Sequence, residues 1–304
     1  MLSTTAREYR AERSQRAKGN AAYNPPVPCG AMATLPLCAL THGSPTLAWP
    51  EARNAHVWRL DLRDMGAGAT SLLDSTETER AQRFVYAHDW RRYVAAHAWL
   101  RHILGAYLSV PPQQLRFAAG AYGKPVLLQA PRGAGQSALC FNMSHSKDLA
   151  LIAVTSGIEV GVDIEVIRED LPGPDLAAGV LTVAERAELD ALLPTQHAEA
   201  FVGCWVRKEA SLKALGLGLN LDPRTLHLGL DHVRSHIRVR TRQPQATAPV
   251  ARWDEIGEES TAILDVYPLP CPAGHSAALA AAEGLGDLQH FDAARLWRAS
   301  GDVR

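Results

Sequence analysis

Thr76-Glu77-Thr78-Glu79-Arg80-Ala81 and Thr182-Val183-Ala184-Glu185-Arg186-Ala187 are near copies, and so are Trp99-Leu100-Arg101-His102 and Trp205-Val206-Arg207-Lys208. Every matched pair is 106 residues apart. A single short match says little, because helices rich in Ala, Arg and Glu resemble one another. Two matches in one register point to duplication, and a unit of this length is a small domain rather than a solenoid repeat. A duplicated domain creates a pseudo-two-fold interface, and ligands favour such clefts because both halves can supply walls.

The stretch Asp74-Ser75-Thr76-Glu77-Thr78 supplies helix caps. A helical pattern follows from about Glu77 to Leu108, with Phe84, Tyr93, Val94, Ala98, Leu100, Ile103, Leu104 and Tyr107 facing inward. His88-Asp89 is the expected break within it, and Pro111-Pro112 end it. Residues 56–62 alternate like a strand. Short apolar runs at 115–118, 125–129, 138–143, 149–155 and 159–166 read as further strands between Gly, Pro, Ser and Asn punctuation. Residues 182–193 and 198–215 read as helices, the second stopped by Gly216 and Gly218. Residues 225–240, 261–267 and 275–282 read as strands, and the last twenty residues as a short terminal helix. The proline-rich first fifty residues read as an extension with at most a short N-terminal helix, and Met32 is an alternative start.

Composition excludes several classes. The chain has 304 residues, 31 Lys+Arg against 32 Asp+Glu, a net charge of −1 and 47% hydrophobic residues. It is neither a disordered tail nor a nucleic-acid binder by bulk charge, and no apolar run approaches the ~18–20 residues that cross a bilayer. A chain this long buries roughly three quarters of its unfolded surface, so it needs no disulfide or metal staple. Cys29, Cys38, Cys140, Cys204 and Cys271 are scattered without C-x-x-C spacing, which argues against a zinc site or disulfide framework and fits a reducing cytoplasm. Glu8 and Glu12 interrupt the basic stretch that a secretory signal would need.

Four stretches carry candidate chemistry. In Gly161-Val162-Asp163-Ile164-Glu165, a strand puts Asp163 and Glu165 on one face. Carboxylates that close repel each other. A hard cation such as Mg²⁺ removes that cost and also takes substrate phosphates; a solvated edge strand is the plain alternative. On the helix Trp205-Val206-Arg207-Lys208-Glu209-Ala210-Ser211-Leu212-Lys213, Glu209 and Lys213 share a face. They are either a surface ion pair, or a third metal oxygen or base beside a lysine facing an anion. Asn142-Met143-Ser144-His145-Ser146 reads as a polar turn whose hydroxyls and imidazole can bind phosphate, or as an ordinary hairpin turn. A Ser–His nucleophile pair is weak there, with no G-x-S-x-G elbow. Lys124, in Gly123-Lys124-Pro125, enters a strand from a turn, and Arg80, Arg91, Arg92 and Arg101 add charge on the first long helix, where Arg91 reads as solvated. No Walker A loop is present, and no G-x-G-x-x-G opens a helix. Three carboxylates and several cations in a near-neutral chain imply a metal and a polyanionic ligand together.

The order Glu79-Arg80-Ala81-x-Arg83-Phe84, Gly123-Lys124-Pro125, Phe141-Asn142-Met143-Ser144-His145-Ser146, Gly161 to Glu165 and Trp205 to Gly216 resembles the 4′-phosphopantetheinyl transferases. Within them it is similar to the two-halved type of the surfactin-synthetase activators, over roughly residues 56–282. The resemblance implies an α+β fold: two similar α+β subdomains related by a pseudo-two-fold axis, with the active site at their interface. The boundaries expected are a poorly structured extension over 1–55, subdomains over 56–157 and 158–284, the second carrying the metal site, and a tail over 285–304. It further implies that Asp163, Glu165 and Glu209 hold Mg²⁺, with Glu209 also a possible base, and that Lys213 lies near the pyrophosphate of coenzyme A. Lys124, Ser144 and His145 match contacts to coenzyme A phosphates, and Arg80 and Arg92 match positions facing its 3′-phosphate.

The reaction implied moves 4′-phosphopantetheine from coenzyme A to a serine of an apo acyl or peptidyl carrier protein and releases 3′,5′-ADP. The expected enzyme is a cytoplasmic monomer with no nucleic-acid or membrane partner. Two other readings use the same residues: a Mg²⁺-dependent pyrophosphate or phosphodiester hydrolase, and a non-catalytic carrier-binding module. The long N-terminal extension has no counterpart in compact members of the family.

Overall fold

A computed structural model describes residues 37–41, 44–63, 68–120, 122–128, 137–171, 173–231, 234–242 and 259–294. The N-terminal helix expected within residues 1–20 and the final residues 295–304 lie outside the described residues. The described chain begins with a hairpin, β1 (Leu37–Thr41) and β2 (Ser44–Leu47). Leu47 is buried in the first core, and Trp49 Nε1 donates 2.8 Å to the Tyr107 carbonyl. Residues 47–50 therefore pack with the fold, although the proline content there suggested an extension.

The strand β3 (Ala55–Asp61) starts the first sheet. Two helices follow, α1 (Ser75–Ala81) and α2 (Ala87–Leu108). Asp74 caps α1 in a capping box: its Oδ1 accepts from Glu77 N at 2.9 Å while its own N–H donates to Glu77 Oε2 at 3.0 Å. The break between the helices falls at 82–86, ahead of His88-Asp89, and Tyr86 in an extended conformation is the N-cap of α2. Trp99, Ile103, Leu104 and Tyr107 of α2 bury against the first sheet with Trp58, Leu60 and Ile152.

A small hairpin, β4 (Phe117–Ala119) and β5 (Pro125–Leu127), precedes β6 (Leu139–Ser146) and β7 (Leu149–Ser156). The second sheet starts with β8 (Val160–Val166). Next come α3 (Pro174–Val180), α4 (Val183–Asp190) and α5 (Pro194–Ala214), then β9 (Ser235–Arg242), β10 (Glu259–Pro268), β11 (His275–Ala282) and β12 (Leu288–Asp292).

The sheets run β12-β3-β7-β6 and β8-β11-β10-β9. Within each, one order recurs: a strand, helices ending in a long one, then an antiparallel hairpin whose second strand pairs beside the first strand. The architecture is α+β. β12 pairs in parallel with β3 within the stretch read as a tail, because Phe291 fills the first core and stacks on Trp58 at 4.8 Å; helical backbone begins at Ala293, and the rest of the expected terminal helix lies outside the described residues.

The two helical segments repeat an ion pair as well as an order. Glu77 accepts from Arg101 Nε at 2.7 Å, and Glu185 accepts from Lys208 Nζ at 2.6 Å with both side chains fully buried. Each acid is the third residue of a helix capped by Asp74 or Thr182. The structural counterparts are therefore 108 residues apart at the caps and 107 at the cations, not 106. The matched strings were ordinary helix formers; what the fold repeats is the buried pair. Burial pushes both glutamates up, but their hydrogen bonds outweigh it and leave each below the usual carboxylate range.

Candidate active site

The two sheets meet where β6 lies along β8, and side chains bridge the seam. Asn142 Oδ1 accepts from Val162 N at 2.9 Å, and Ser146 Oγ accepts from Val166 N at 3.0 Å. Ser144 Oγ donates to Asp163 Oδ1 at 2.7 Å, and Ser146 Oγ donates to Glu165 Oε2 at 3.0 Å. Residues 142, 144 and 146 share one face of β6, as strand alternation requires. The segment read from sequence as a polar turn is thus strand, and the turn follows at Lys147-Asp148. Its polarity serves the seam, since buried polar groups need partners. Ser144 is buried and His145, one residue on, is exposed, so the two do not face the same way.

Gly161 decides how α5 meets β8. A Cβ there would lie 2.1 Å from the Ala210 carbonyl oxygen and 2.3 Å from Ala214 N, so only glycine lets the helix backbone rest on the strand. That approach delivers Lys213. Its Nζ donates to Asp163 Oδ1 at 2.6 Å, to Ser144 Oγ at 3.1 Å and to the Val162 carbonyl at 3.2 Å. Asp163 is buried, and its second oxygen, Oδ2, has no hydrogen-bond partner. Glu165 and Glu209 are partly exposed, Glu209 one turn before Lys213 on α5. Among the described residues, no group of three or more His, Cys, Asp or Glu side chains is placed to hold a metal ion. Lys213 is the cation that meets the Asp163 charge.

The remaining candidates lie around this centre. Lys124 Nζ pairs with Glu159 and donates to the Val160 carbonyl at 3.0 Å, which fastens the β4–β5 hairpin to the start of β8. Arg92 Nε donates to Asp148 Oδ1 at 2.8 Å, beside the β6–β7 turn, and the same guanidinium lies 3.5 Å from Asp89. Arg80 lies on α1 with its guanidinium 6.0 Å from the Tyr93 ring centre, lining a cleft with Thr76, Glu79, Arg83 and Phe84. The structure thus joins Asp163, Ser144 and Lys213 directly, sets Glu165 beside them through Ser146, and leaves Arg80 apart. Sequence reading missed Asn142, Ser146 and Gly161. The two-residue spacing of Asn142, Ser144 and Ser146, matching that of Asp163 and Glu165, was the signal.

Comparison with known proteins identifies the family. Residues 159–264 match the 4′-phosphopantetheinyl transferase superfamily model, and residues 58–157 match the model for a 4′-phosphopantetheinyl transferase N-terminal region. The chain is similar to the 4′-phosphopantetheinyl transferase HetI of Nostoc sp., 38% identical over 167 residues that cover 54% of this chain and 69% of that protein. A putative 4′-phosphopantetheinyl transferase of Synechocystis sp. is 33% identical over 161 residues, 52% of this chain and 63% of its own. The 4′-phosphopantetheinyl transferase AcpT of Escherichia coli K12 is 44% identical over 98 residues, 32% of this chain and 47% of its own. No helix among the described residues is long and apolar enough to cross a membrane. With family models matching both sheet regions and two thirds of HetI covered, the chain belongs to the 4′-phosphopantetheinyl transferase superfamily.

Proposed function

We propose that the seam of β6, β8 and α5 is where this chain does its family's work, the transfer of phosphopantetheine to carrier proteins. The donor is coenzyme A and the acceptor a serine hydroxyl. The serine oxygen bonds to the phosphorus that bears pantetheine, the bond from that phosphorus to the bridging oxygen breaks, and 3′,5′-ADP leaves. The observation that carries this reading is the seating of Lys213 against Asp163 at 2.6 Å over Gly161. It puts a partly exposed cation and a buried acid at one point on the seam.

Lys213 is positioned to exchange its carboxylate for phosphoryl oxygens, where a preorganised cation lowers the barrier most. Glu209, a turn earlier on the same helix, takes the serine proton. The family resemblance gives Ser144 and His145, with Arg80, Arg92 and Lys124, to the coenzyme A phosphates; Ser144 and His145 lie on opposite faces of β6 and Arg80 lies apart from the seam, so they would reach different parts of the ligand. Arg92 and Lys124 hold Asp148 and Glu159 in the meantime.

Asp163, Glu165 and Glu209 are the residues that would hold Mg²⁺, and since they are not grouped around one point as they stand, binding would require their side chains to converge and Lys213 to leave Asp163. Their donor chemistry suits the ion: all are hard carboxylate oxygens, and the buried Oδ2 of Asp163 lacks a donor. Mg²⁺ bound there supplies positive charge to the pyrophosphate. The recurring strand–helix–hairpin order supports two subdomains, residues 56–157 and 158–284, about a pseudo-two-fold axis with the site between them. Cys140, Cys204 and Cys271 are free thiols, which suits a cytoplasmic enzyme, and we take it to act as a monomer.

The test is release of 3′,5′-ADP from coenzyme A with and without an apo carrier protein. Release that requires the carrier supports transfer; equal release in its absence would instead assign the seam to pyrophosphate hydrolysis.

A further inference from the structure

The connector between α1 and α2 carries a cluster of exposed apolar side chains. Val85 is 89% exposed, Tyr86 53%, Phe84 39%, and Trp90, in the first turn of α2, 36%. The ledge is held in place: the Phe84 ring lies 5.2 Å from that of Tyr93, and Tyr86 stacks on His88 at 5.5 Å. Scattered exposed apolar residues need no explanation, but a cluster rich in aromatics marks a contact surface.

Charge narrows the partner. Residues 79–92 contain four arginines, Arg80, Arg83, Arg91 and Arg92, against two acids, Glu79 and Asp89. Asp89 is engaged by Arg92 and His88. Arg83 and Arg91 make no ion pair among the described residues, so their charge is available at the rim. The ledge also adjoins the catalytic seam. Arg92, next to Arg91, binds Asp148 in the β6–β7 turn, two residues from the Ser146 that holds Glu165.

We infer that this ledge is the docking surface for the carrier protein, and that it takes a surface apolar at its centre and acidic at its edge. The inference rests on the transferase reading above. Phe84, Val85, Tyr86 and Trp90 supply the apolar contact, and Arg83 and Arg91 steer and register the acidic rim. A carrier seated here has the Glu165 end of the seam as its nearest part of the site.

The experiment measures KM for an apo acyl carrier protein and KM for coenzyme A separately. Val85→Glu should raise the carrier KM about ten-fold or more, a hot-spot effect, with kcat and the coenzyme A KM unchanged. Arg91→Glu should act in the same direction. Val183→Glu changes an equally apolar residue, 75% exposed on α4, and should change none of the three. A carrier KM unmoved by both Val85→Glu and Tyr86→Ala would overturn the inference while leaving the transferase reading in place. A wild-type dimer that Val85→Glu dissolves, with the carrier KM unmoved, would assign the ledge to a second copy of the chain and likewise overturn it. A wild-type protein that modifies no carrier would overturn the functional reading itself.

Discussion

Gly161→Ala tests whether α5 is seated on β8 as described. The new Cβ would stand 2.1 Å from the Ala210 carbonyl oxygen and 2.3 Å from Ala214 N, whereas ordinary contact begins at 3.4 Å. Both neighbours are backbone in the last turns of a helix, so no side-chain rotation relieves the clash. The helix must withdraw by about 1.3 Å, which carries Lys213 Nζ from 2.6 Å to nearly 4 Å from Asp163 Oδ1, beyond hydrogen-bond range. Overpacking of this kind costs about 1–3 kcal/mol of stability, and a displacement near 1 Å in a catalytic group costs about 10²-fold in rate. Urea unfolding and the initial rate of carrier modification measure the two effects. Gly179→Ala is the control: nothing lies within 4 Å of its Cβ, and alanine within α3 should stabilise by about 0.5–1 kcal/mol. A Gly161→Ala protein with the wild-type midpoint and rate would refute the seating of α5, and the site geometry with it.

Other changes probe the surrounding structure. Lys208→Met leaves Glu185 buried without its cation and should cost about 3–5 kcal/mol in urea unfolding; a loss below about 1 kcal/mol would contradict a buried pair. Glu209→Ala should abolish carrier modification yet keep the wild-type circular dichroism spectrum, and a near-normal rate would remove Glu209 from the mechanism. His56 gives a pH signature. Burial lowers its pKa from 6.5 to about 4, and its neutral Nδ1 faces the Tyr107 hydroxyl at 2.6 Å. Between those values the unfolded chain binds the proton and the folded one does not. Stability is therefore full above pH 6.5 and falls as pH drops toward 4, by up to about 3 kcal/mol. Urea midpoints taken between pH 7.5 and 4.5 should show this slope, and His56→Gln should flatten it; an equal slope in the variant would assign it elsewhere.

The parts of the fold written in local pattern were legible. β11 runs over 275–282, the stretch read as the hairpin partner of 261–267, and the caps at Asp74 and Thr182 start helices. Asp163 and Lys213, both picked out by local motifs, meet at 2.6 Å at the centre of the candidate site. What failed depends on distant partners. Leu226, Leu228 and Leu230 alternate in burial like a strand, yet β9 starts only at Ser235. Their backbone is held by side chains instead: Glu185 and Glu188 accept from Leu228 N and Leu230 N, and Arg207 donates to the carbonyls of Leu228 and Gly229. The helix α3 carries too weak an apolar stripe to stand out, and it buries only Ala177 and Val180. β12 is a strand because the edge of β3 is open to it, which no property of residues 288–292 alone reveals. The Arg92–Asp148 and Lys124–Glu159 pairs were equally hidden, since each joins elements far apart in sequence.

The central claim is that Asp163 and Lys213 mark the point of transfer, and intact-mass measurement of apo carrier proteins tests it most directly. After incubation with coenzyme A, Mg²⁺ and the wild-type chain, an accepted carrier should gain the mass of one phosphopantetheine, while Asp163→Asn, folded by circular dichroism, should leave it unmodified. Full modification by Asp163→Asn at the wild-type rate would contradict the account.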